Sequence, residues 1–237
     1  VAPHVVEEAI RRMAELIRET VPCREIGLVL DGFNVRPPAG EGNPTGTLQE
    51  ALYVAGMLNV FQRQFGTLKV ACLAQGAEET SPMIVMPEGQ PAFTTPLYHP
   101  YLLYRNMETQ LLSVVAWSPN LQAKALGGTI SERNQGPYLD ITATRSADGQ
   151  RVVLGITNRS PLRQAKVMIN LKGEGNRKFR VVEARLMEGP DALVANTVDA
   201  PERVSVRPIR SPRLRFAWLD LDLPPASLMV VELKKKG

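Results

Sequence analysis

The sequence is poor in the residues that build metal centres and disulfide frameworks. Its 237 residues include two cysteines, Cys23 and Cys72, and two histidines, His4 and His99. The cysteines lie far apart, so neither a disulfide framework nor a metal-binding spacing is predicted. Cys72 lies inside an apolar strand pattern, where a free thiol acts as a small hydrophobe. Two histidines are too few for a histidine-rich metal centre, and we expect no metal and no cofactor.

The sequence also lacks a long apolar run. No stretch reaches the roughly 18 apolar residues of a membrane-spanning helix, so we predict no membrane partner. The first residues, Val1-Ala2-Pro3-His4, lead directly into an amphipathic segment and do not resemble a signal peptide. We expect a cytoplasmic location, or secretion if an upstream signal has been removed.

Positive charge is in slight excess, with a net charge of +4 and a pI near 9.2. The basic residues are spread along the chain, apart from residues 207–215 and the terminal Lys234-Lys235-Lys236. This distribution is not the basic patch of a nucleic-acid-binding protein, so no nucleic-acid partner is predicted. A content of 44% hydrophobic and 22% charged residues is typical of a globular protein.

Helix and strand patterns alternate in the first half of the sequence. Apolar residues at helical spacing (Val6, Ile10, Met13 and Ile17) predict a helix that Pro22 ends. Apolar runs at Ile26–Leu30 and Leu68–Leu73 predict strands buried on both faces. A capping box of Thr47 and Glu50 begins the helix between them, Gly66 ends it, and a short helix is predicted from Pro96 to Asn106.

The second half has the period of two that is typical of strands. We predict eight strands: Leu111–Trp117, Tyr138–Thr144, Arg151–Thr157, Ala165–Leu171, Phe179–Met187, Val204–Pro208, Arg213–Asp220 and Ser227–Leu233. Trp117 and Trp218 fall in these strands, and core packing is expected for both, with sugar stacking as the alternative. Asn158-Arg159-Ser160 matches a glycosylation sequon, but Pro161 follows it and we interpret it as a turn.

The two halves predict an α/β plus all-β fold class. Residues 1–108 would form part of a (β/α)8 barrel, and residues 109–237 an antiparallel β-sandwich or jelly roll. Parallel strands end at the same edge of a sheet, which is where such folds hold substrates. That edge would carry Asp31-Gly32-Phe33-Asn34 from one strand and Ala74-Gln75 from the next.

Several short motifs, in order, resemble the C-terminal half of the α-L-arabinofuranosidases of glycoside hydrolase family 51. The segment Asp31-Gly32-Phe33-Asn34-Val35 is similar to the family's Asp-Glu-Trp-Asn-Val signature. Further similar segments are Glu50–Asn59, Leu68–Gln75, Ile156–Ser160, Ala195–Thr197 and Leu223–Ser227. The resemblance implies the last two barrel strands with their helices, a following β-sandwich, and an arabinose-containing oligosaccharide or polysaccharide as the partner.

The resemblance also implies a retaining mechanism, which uses two carboxylates about 5 Å apart. The family's nucleophile is the glutamate of the signature, and Gly32 occupies its position here. The family's acid/base glutamate belongs to an earlier barrel strand that this sequence does not contain. No catalytic carboxylate is therefore intact, and we expect this chain to be inactive alone.

The surviving site candidates are polar or aromatic side chains near the two strand ends. Gln75 matches a family glutamine that hydrogen-bonds the arabinofuranose ring, and Asn34 and Phe33 are further substrate-binding candidates. Asp31 is a weak candidate for the nucleophile, because successive strand residues point to opposite faces. Glu78 and Glu79 follow in the next loop, where a solvated loop face is the simplest interpretation.

Three functional hypotheses remain open at this stage. The chain is part of an arabinofuranosidase, a non-catalytic carbohydrate-binding or assembly module, or one subunit of a split glycosidase. The alternatives for a protein partner are a second copy of this chain and a chain that supplies the N-terminal part of the barrel.

Overall fold

The computed structural model describes residues 2–33, 45–73, 82–123, 133–172, 179–210, 212–215 and 217–236, and this part is mostly β-sheet with few helices. The helices are Ala2–Thr20 (α1), Leu48–Arg63 (α2) and Tyr98–Tyr104 (α3). The first strands are Leu28–Phe33 (β1), Leu68–Leu73 (β2), Ile84–Val85 (β3), Phe93–Thr94 (β4), Gln110–Leu111 (β5), Asn120–Ala123 (β6) and Arg133–Pro137 (β7). The remaining strands are Leu139–Arg145 (β8), Arg151–Asn158 (β9), Ala165–Asn170 (β10), Phe179–Glu188 (β11), Ser205–Pro208 (β12), Arg213–Arg215 (β13), Trp218–Leu223 (β14) and Ser227–Lys235 (β15).

The strands β1 and β2 are parallel and are connected through α2. Their covered face packs on α1 and α2 around buried Ile10, Val60 and Leu68. The capping box at the start of α2 is confirmed. The Thr47 hydroxyl accepts from the Glu50 N–H at 3.3 Å, and the Glu50 carboxylate accepts from the Gly46 N–H at 2.8 Å. The helix ends at Arg63, before the predicted stop at Gly66.

The expectation that β1 and β2 are buried on both faces is wrong for the described residues. Val29 is 63% exposed and Val70 is 47% exposed, and Cys72 is also exposed rather than packed as a small hydrophobe. The reason is that β1 and β2 pair only with each other in the described part of the chain, and the helices cover one face alone. Met13 of α1, expected on the packed face, is likewise half-exposed.

The second half contains two larger antiparallel sheets. The first has six strands in the order β12-β11-β15-β9-β8-β5, and the second has three in the order β10-β14-β13. One apolar cluster joins the two sheets, with Ile156 and Met229 on one side and Leu219 and Leu221 on the other. A second cluster joins the opposite face of the six-stranded sheet to α2 and α3. The central strands β9 and β15 are therefore buried on both faces.

Most predicted strands of the second half are confirmed within a few residues, and two are wrong. The predicted strand Leu111–Trp117 is reduced to β5, because β8 pairs with the chain only as far as the Leu112 N–H, which donates to the Ala143 carbonyl at 2.8 Å. The predicted strand Arg213–Asp220 is a hairpin of β13 and β14. The short pairs β3–β4 and β6–β7 were not predicted.

The expectation that both tryptophans pack in the core is wrong. Trp117 is 88% exposed in the loop after β5, and Trp218 is 46% exposed on β14. Trp218 alternates with buried Leu219, so the strand's pleat places the indole on the solvent side.

The predicted division between residues 108 and 109 stays a prediction.

The predicted turn at Asn158 has a clear physical basis. The Asn158 side chain is fully buried and its amide donates to the carbonyls of Arg163 and Pro224, each at 2.8 Å. This amide holds the loop after β9 against the loop after β14, so it is not an accessible glycosylation site.

No helix in the described part of the chain is long and apolar enough to span a membrane.

Candidate functional site

The carboxyl ends of β1 and β2 lie at one edge of their sheet, as the sequence predicts. The strands run parallel, with Leu30 opposite Ala71 and Phe33 opposite Leu73. Asp31 and Gly32 therefore lie at the edge where folds of this kind hold substrates. Both residues are exposed.

A β-bulge changes which side chains share a face at this edge. From Leu30 to Phe33 the chain of β1 advances three residues, while β2 advances two, from Ala71 to Leu73. Leu30 packs on the helix side of the sheet, and so does Phe33 beyond the bulge. Asp31 and Gly32 lie within this irregularity and both are exposed, so strict alternation does not hold across them, and the role of Asp31 stays a prediction. Bulges are common beside active sites, where they re-aim a side chain.

Phe33 has a structural contact that the sequence did not predict. Its ring is buried and meets the ring of Phe61 on α2 edge to face, with centroids 5.0 Å apart. Edge-to-face packing of this kind stabilises the strand against the helix. The substrate contact expected of Phe33 stays a prediction.

The remaining predicted site residues lie outside the described residues. These are Asn34 and Gln75, the amide candidates for substrate binding, together with Glu78 and Glu79. Their roles stay predictions, and the geometry of the site rests on Asp31, Gly32 and Phe33.

The chemistry available at this edge is limited. Asp31 contributes one carboxylate, and Gly32 contributes no side chain where a nucleophile would be attached. Within the described ranges, no three or more histidine, cysteine or acidic side chains are grouped to hold a metal ion. A cavity of about 500 Å³ lies elsewhere, beside β6 and the loop after β9, and Tyr138, Ser160 and Arg163 line it.

A partly buried ion-pair network ties the helices beneath the site to the six-stranded sheet. The Arg63 guanidinium donates two hydrogen bonds to the Glu7 carboxylate, at 2.8 and 3.0 Å, and one to Asp140 at 2.9 Å. Burial alone would raise the pKa of Glu7, but hydrogen bonds with His4 and Arg63 outweigh it and lower the pKa to about 2. The carboxylates of Glu7 and Asp140 raise the pKa of Arg63 against the opposing effect of burial.

Sequence reasoning missed this network, and no local signal could have found it. Arg63 is an ordinary basic residue in the last turn of a helix, where a cation complements the helix dipole. Its partners are 56 and 77 residues away along the chain. Only the packing of α1 and β8 against α2 brings the three charges together.

Comparison with known protein families gives a match that spans most of the chain. Residues 31–227 match the family model described as "Alpha-L-arabinofuranosidase C-terminal domain". The chain belongs to this family. The match begins at Asp31, at the carboxyl end of β1, and ends at Ser227, the first residue of β15.

Curated arabinofuranosidases are similar to parts or all of the chain. "Probable alpha-L-arabinofuranosidase C" of Aspergillus terreus is 30% identical over 171 residues, which is 66% of this chain and 33% of that protein. "Intracellular exo-alpha-L-arabinofuranosidase" of Bacteroides ovatus is 20% identical over 236 residues, 97% of this chain and 44% of that protein. The chain thus spans less than half the length of these relatives.

Solved structures share the fold at low identity. The GH51 arabinofuranosidase from Xanthomonas axonopodis pv. citri aligns with 98% of this chain and 46% of its own, at a TM-score of 0.82 and 21% identity. The α-L-arabinofuranosidase from Thermotoga maritima, solved as an arabinose complex, aligns with 98% of this chain and 48% of its own, at a TM-score of 0.83 and 20% identity. The sequence resemblance to family 51 is therefore confirmed.

Two other motifs of this arabinofuranosidase C-terminal domain have structural roles. Asn196, in the Ala195–Thr197 segment, donates to the carbonyls of Thr94 and Val204 and accepts from the Val204 N–H. In the Leu223–Ser227 segment, the Ala226 N–H donates to the Ser160 carbonyl at 2.7 Å. These two motifs hold loops together.

Proposed function

We propose that this chain is the C-terminal part of a family-51-like α-L-arabinofuranosidase. Its target would be terminal arabinofuranosyl residues of arabinan or arabinoxylan. The observation that carries the proposal is the family match over residues 31–227, and the fold alignment with family 51 enzymes over 98% of the chain supports it. In this proposal β1, α2 and β2 are the end of a (β/α)8 barrel, and the two antiparallel sheets form a β-sandwich.

The uncovered side of β1 and β2 supports a partial barrel. Parallel sheets are found almost only where both faces are covered. Val29 and Val70 lie opposite each other in the register, and both are about half-exposed or more. Further parallel strands, which a complete barrel of eight would supply, would bury both side chains. A chain containing the N-terminal part of such a barrel is therefore the partner that fits this face.

Loss of the nucleophile is the second part of the proposal. A retaining glycosidase forms an ester between the sugar and a carboxylate, and needs a second carboxyl group about 5 Å away as acid and base. Glycine has no side chain to form that ester. We therefore expect the chain to be inactive alone. With Gly32 in place of the nucleophile, we expect it to remain inactive even when the barrel is completed.

An aryl α-L-arabinofuranoside assay tests both parts. The purified chain should show no turnover above buffer. Gly32→Glu, mixed with the N-terminal part of a family 51 enzyme, should release the phenol, whereas Gly32→Gln under the same conditions should not, since its side chain has similar size but cannot act as a nucleophile. Clear turnover by the unmodified chain alone would contradict the proposal, and Asp31→Asn would then show whether Asp31 supplies the carboxylate.

The same glycine favours a second candidate, a non-catalytic carbohydrate-binding or assembly module. Restored hydrolysis in the Gly32→Glu mixture would support a divergent enzyme. No hydrolysis by any mixture, combined with binding of arabinan, would support the module. Stable co-purification of a polypeptide of about 250–300 residues, with turnover by the pair, would instead identify one subunit of a split glycosidase.

A further inference from the structure

The sheet of β10, β14 and β13 has one face in the core and one in solvent. Along β14, Leu219, Leu221 and Leu223 are buried, and the residues that alternate with them are exposed. We use the name outer sheet face for the solvent side of this sheet. It comprises Lys166, Met168, Asn170, Arg213, Arg215, Trp218, Asp220 and Asp222.

Strand register places one aromatic side chain between two hydrogen-bonding groups. Trp218 lies directly opposite Asn170 on β10 and directly opposite Arg215 on β13. In the next row, Asp220 lies between Met168 and Arg213. Side chains of directly opposite residues share a face, and neighbouring strands are about 4.8 Å apart, so each row extends about 10 Å across the sheet.

The chemistry of these two rows fits a sugar. A single exposed tryptophan needs no explanation by itself, but this one is flanked by groups that complement hydroxyls. The flat indole, 46% exposed, can cover the C–H face of a sugar ring. The guanidinium of Arg215 presents donors in a fixed fork, the amide of Asn170 both donates and accepts, and the carboxylate of Asp220 accepts.

The charges of the outer sheet face indicate a neutral ligand. Lys166, Arg213 and Arg215 are interleaved with Asp220 and Asp222, and cross-strand neighbours have opposite sign at Lys166–Asp222 and Arg213–Asp220. A polyanion such as nucleic acid would meet two carboxylates on this surface, and a cationic ligand would meet three basic groups. A neutral, hydroxyl-rich chain meets neither penalty.

We propose that the outer sheet face is a carbohydrate-binding surface, separate from the strand ends of β1 and β2. Trp218 stacks on a sugar ring, and Asn170, Arg215 and Asp220 hydrogen-bond its hydroxyls. The ligand is a neutral polysaccharide. The inference goes beyond hydrolysis, because binding here needs neither the nucleophile nor a completed barrel.

Affinity electrophoresis of the purified chain in gels containing linear arabinan, arabinoxylan or heparin tests this surface. Migration should be retarded by arabinan or arabinoxylan and not by heparin. Trp218→Ala should weaken the affinity for these polysaccharides about tenfold or more, since it removes both the stacking and the apolar area that a bound sugar would cover. Trp218→Tyr should retain most of the affinity, which separates loss of the ring from loss of the fold.

Trp117→Ala is the matched control, because Trp117 is also exposed, at 88% against 46% for Trp218, but lies in the loop after β5, outside this sheet. It should bind as the unmodified chain does. The proposal is overturned if neither neutral polysaccharide retards the chain, if heparin is preferred, or if the two alanine variants lose affinity equally. If polysaccharide binding is observed but every glycosidase assay fails, the proposed binding surface is supported and only the proposed hydrolysis is contradicted.

Discussion

Arg63 is the residue whose removal should most clearly expose how the helices are held on the six-stranded sheet. It is the shared partner of Glu7 on α1 and Asp140 on β8, and the Asp140 side chain is 5% exposed. Arg63→Met keeps much of the aliphatic stem and removes the charge. Two carboxylates would then lose the cation to which they are hydrogen-bonded, one of them almost wholly buried, although the charge of Arg159 remains near both.

The expected cost follows from that imbalance. Breaking a buried ion pair by deleting one partner costs about 3–5 kcal/mol, because the remaining charge stays desolvated. Arg63 itself is 26% exposed, so we expect the lower end, about 3 kcal/mol. With a urea slope of about 2 kcal/mol per M, the unfolding midpoint should fall by about 1.5 M.

Urea unfolding followed by circular dichroism measures this change, and Arg207→Met is the control. Arg207 also forms an ion pair, with Glu188, but its side chain is 53% exposed. Pairs in solvent contribute less than about 1 kcal/mol, so the midpoint should barely move. Equal shifts for the two variants, or a midpoint for Arg63→Met within about 0.3 M of the unmodified chain, would refute the reasoning.

Three further predictions concern the same framework. The pKa of Glu7 is about 2 in the folded chain against an ordinary 4.5. Its contribution to stability is therefore complete above pH 4.5 and is lost as the pH falls to about 2. The unfolding midpoint of Arg63→Met should decline less over that interval than the midpoint of the unmodified chain. Asn158→Ala should cost about 2–3 kcal/mol in the free energy of unfolding, because buried carbonyls lose their donor, and expression in a glycosylating host should leave the mass of the unmodified chain unchanged. Gly155→Ala should destabilise by about 1–3 kcal/mol, since the new methyl would lie 2.7 Å from the Tyr104 hydroxyl, whereas Gly66→Ala, with no atom within 4 Å, should be near neutral in thermal unfolding.

Local structure followed closely from local sequence. The capping box, the strand Leu68–Leu73, and the strands around Arg151–Asn158 and Ser227–Lys235 were predictable because caps, breakers and runs of apolar residues act over a few residues. The hairpin of β13 and β14 was not predictable, because its two strands share one alternating pattern and only pairing between them reveals the reversal. The loop containing Trp117 has a strand-like pattern but no strand to pair with in the described residues.

The sequence by itself determined that residue 32 has no side chain, because a missing carboxylate is a property of composition and not of folding. It also determined the family, through motifs that are contiguous in the chain. Tertiary structure alone decided which faces are covered, since an apolar strand pattern states that a face can be buried but not what buries it. The bulge beside Gly32, the ion pairs of Arg63 and the row of Asn170, Trp218 and Arg215 each depend on how distant segments align, and no single segment contains that information.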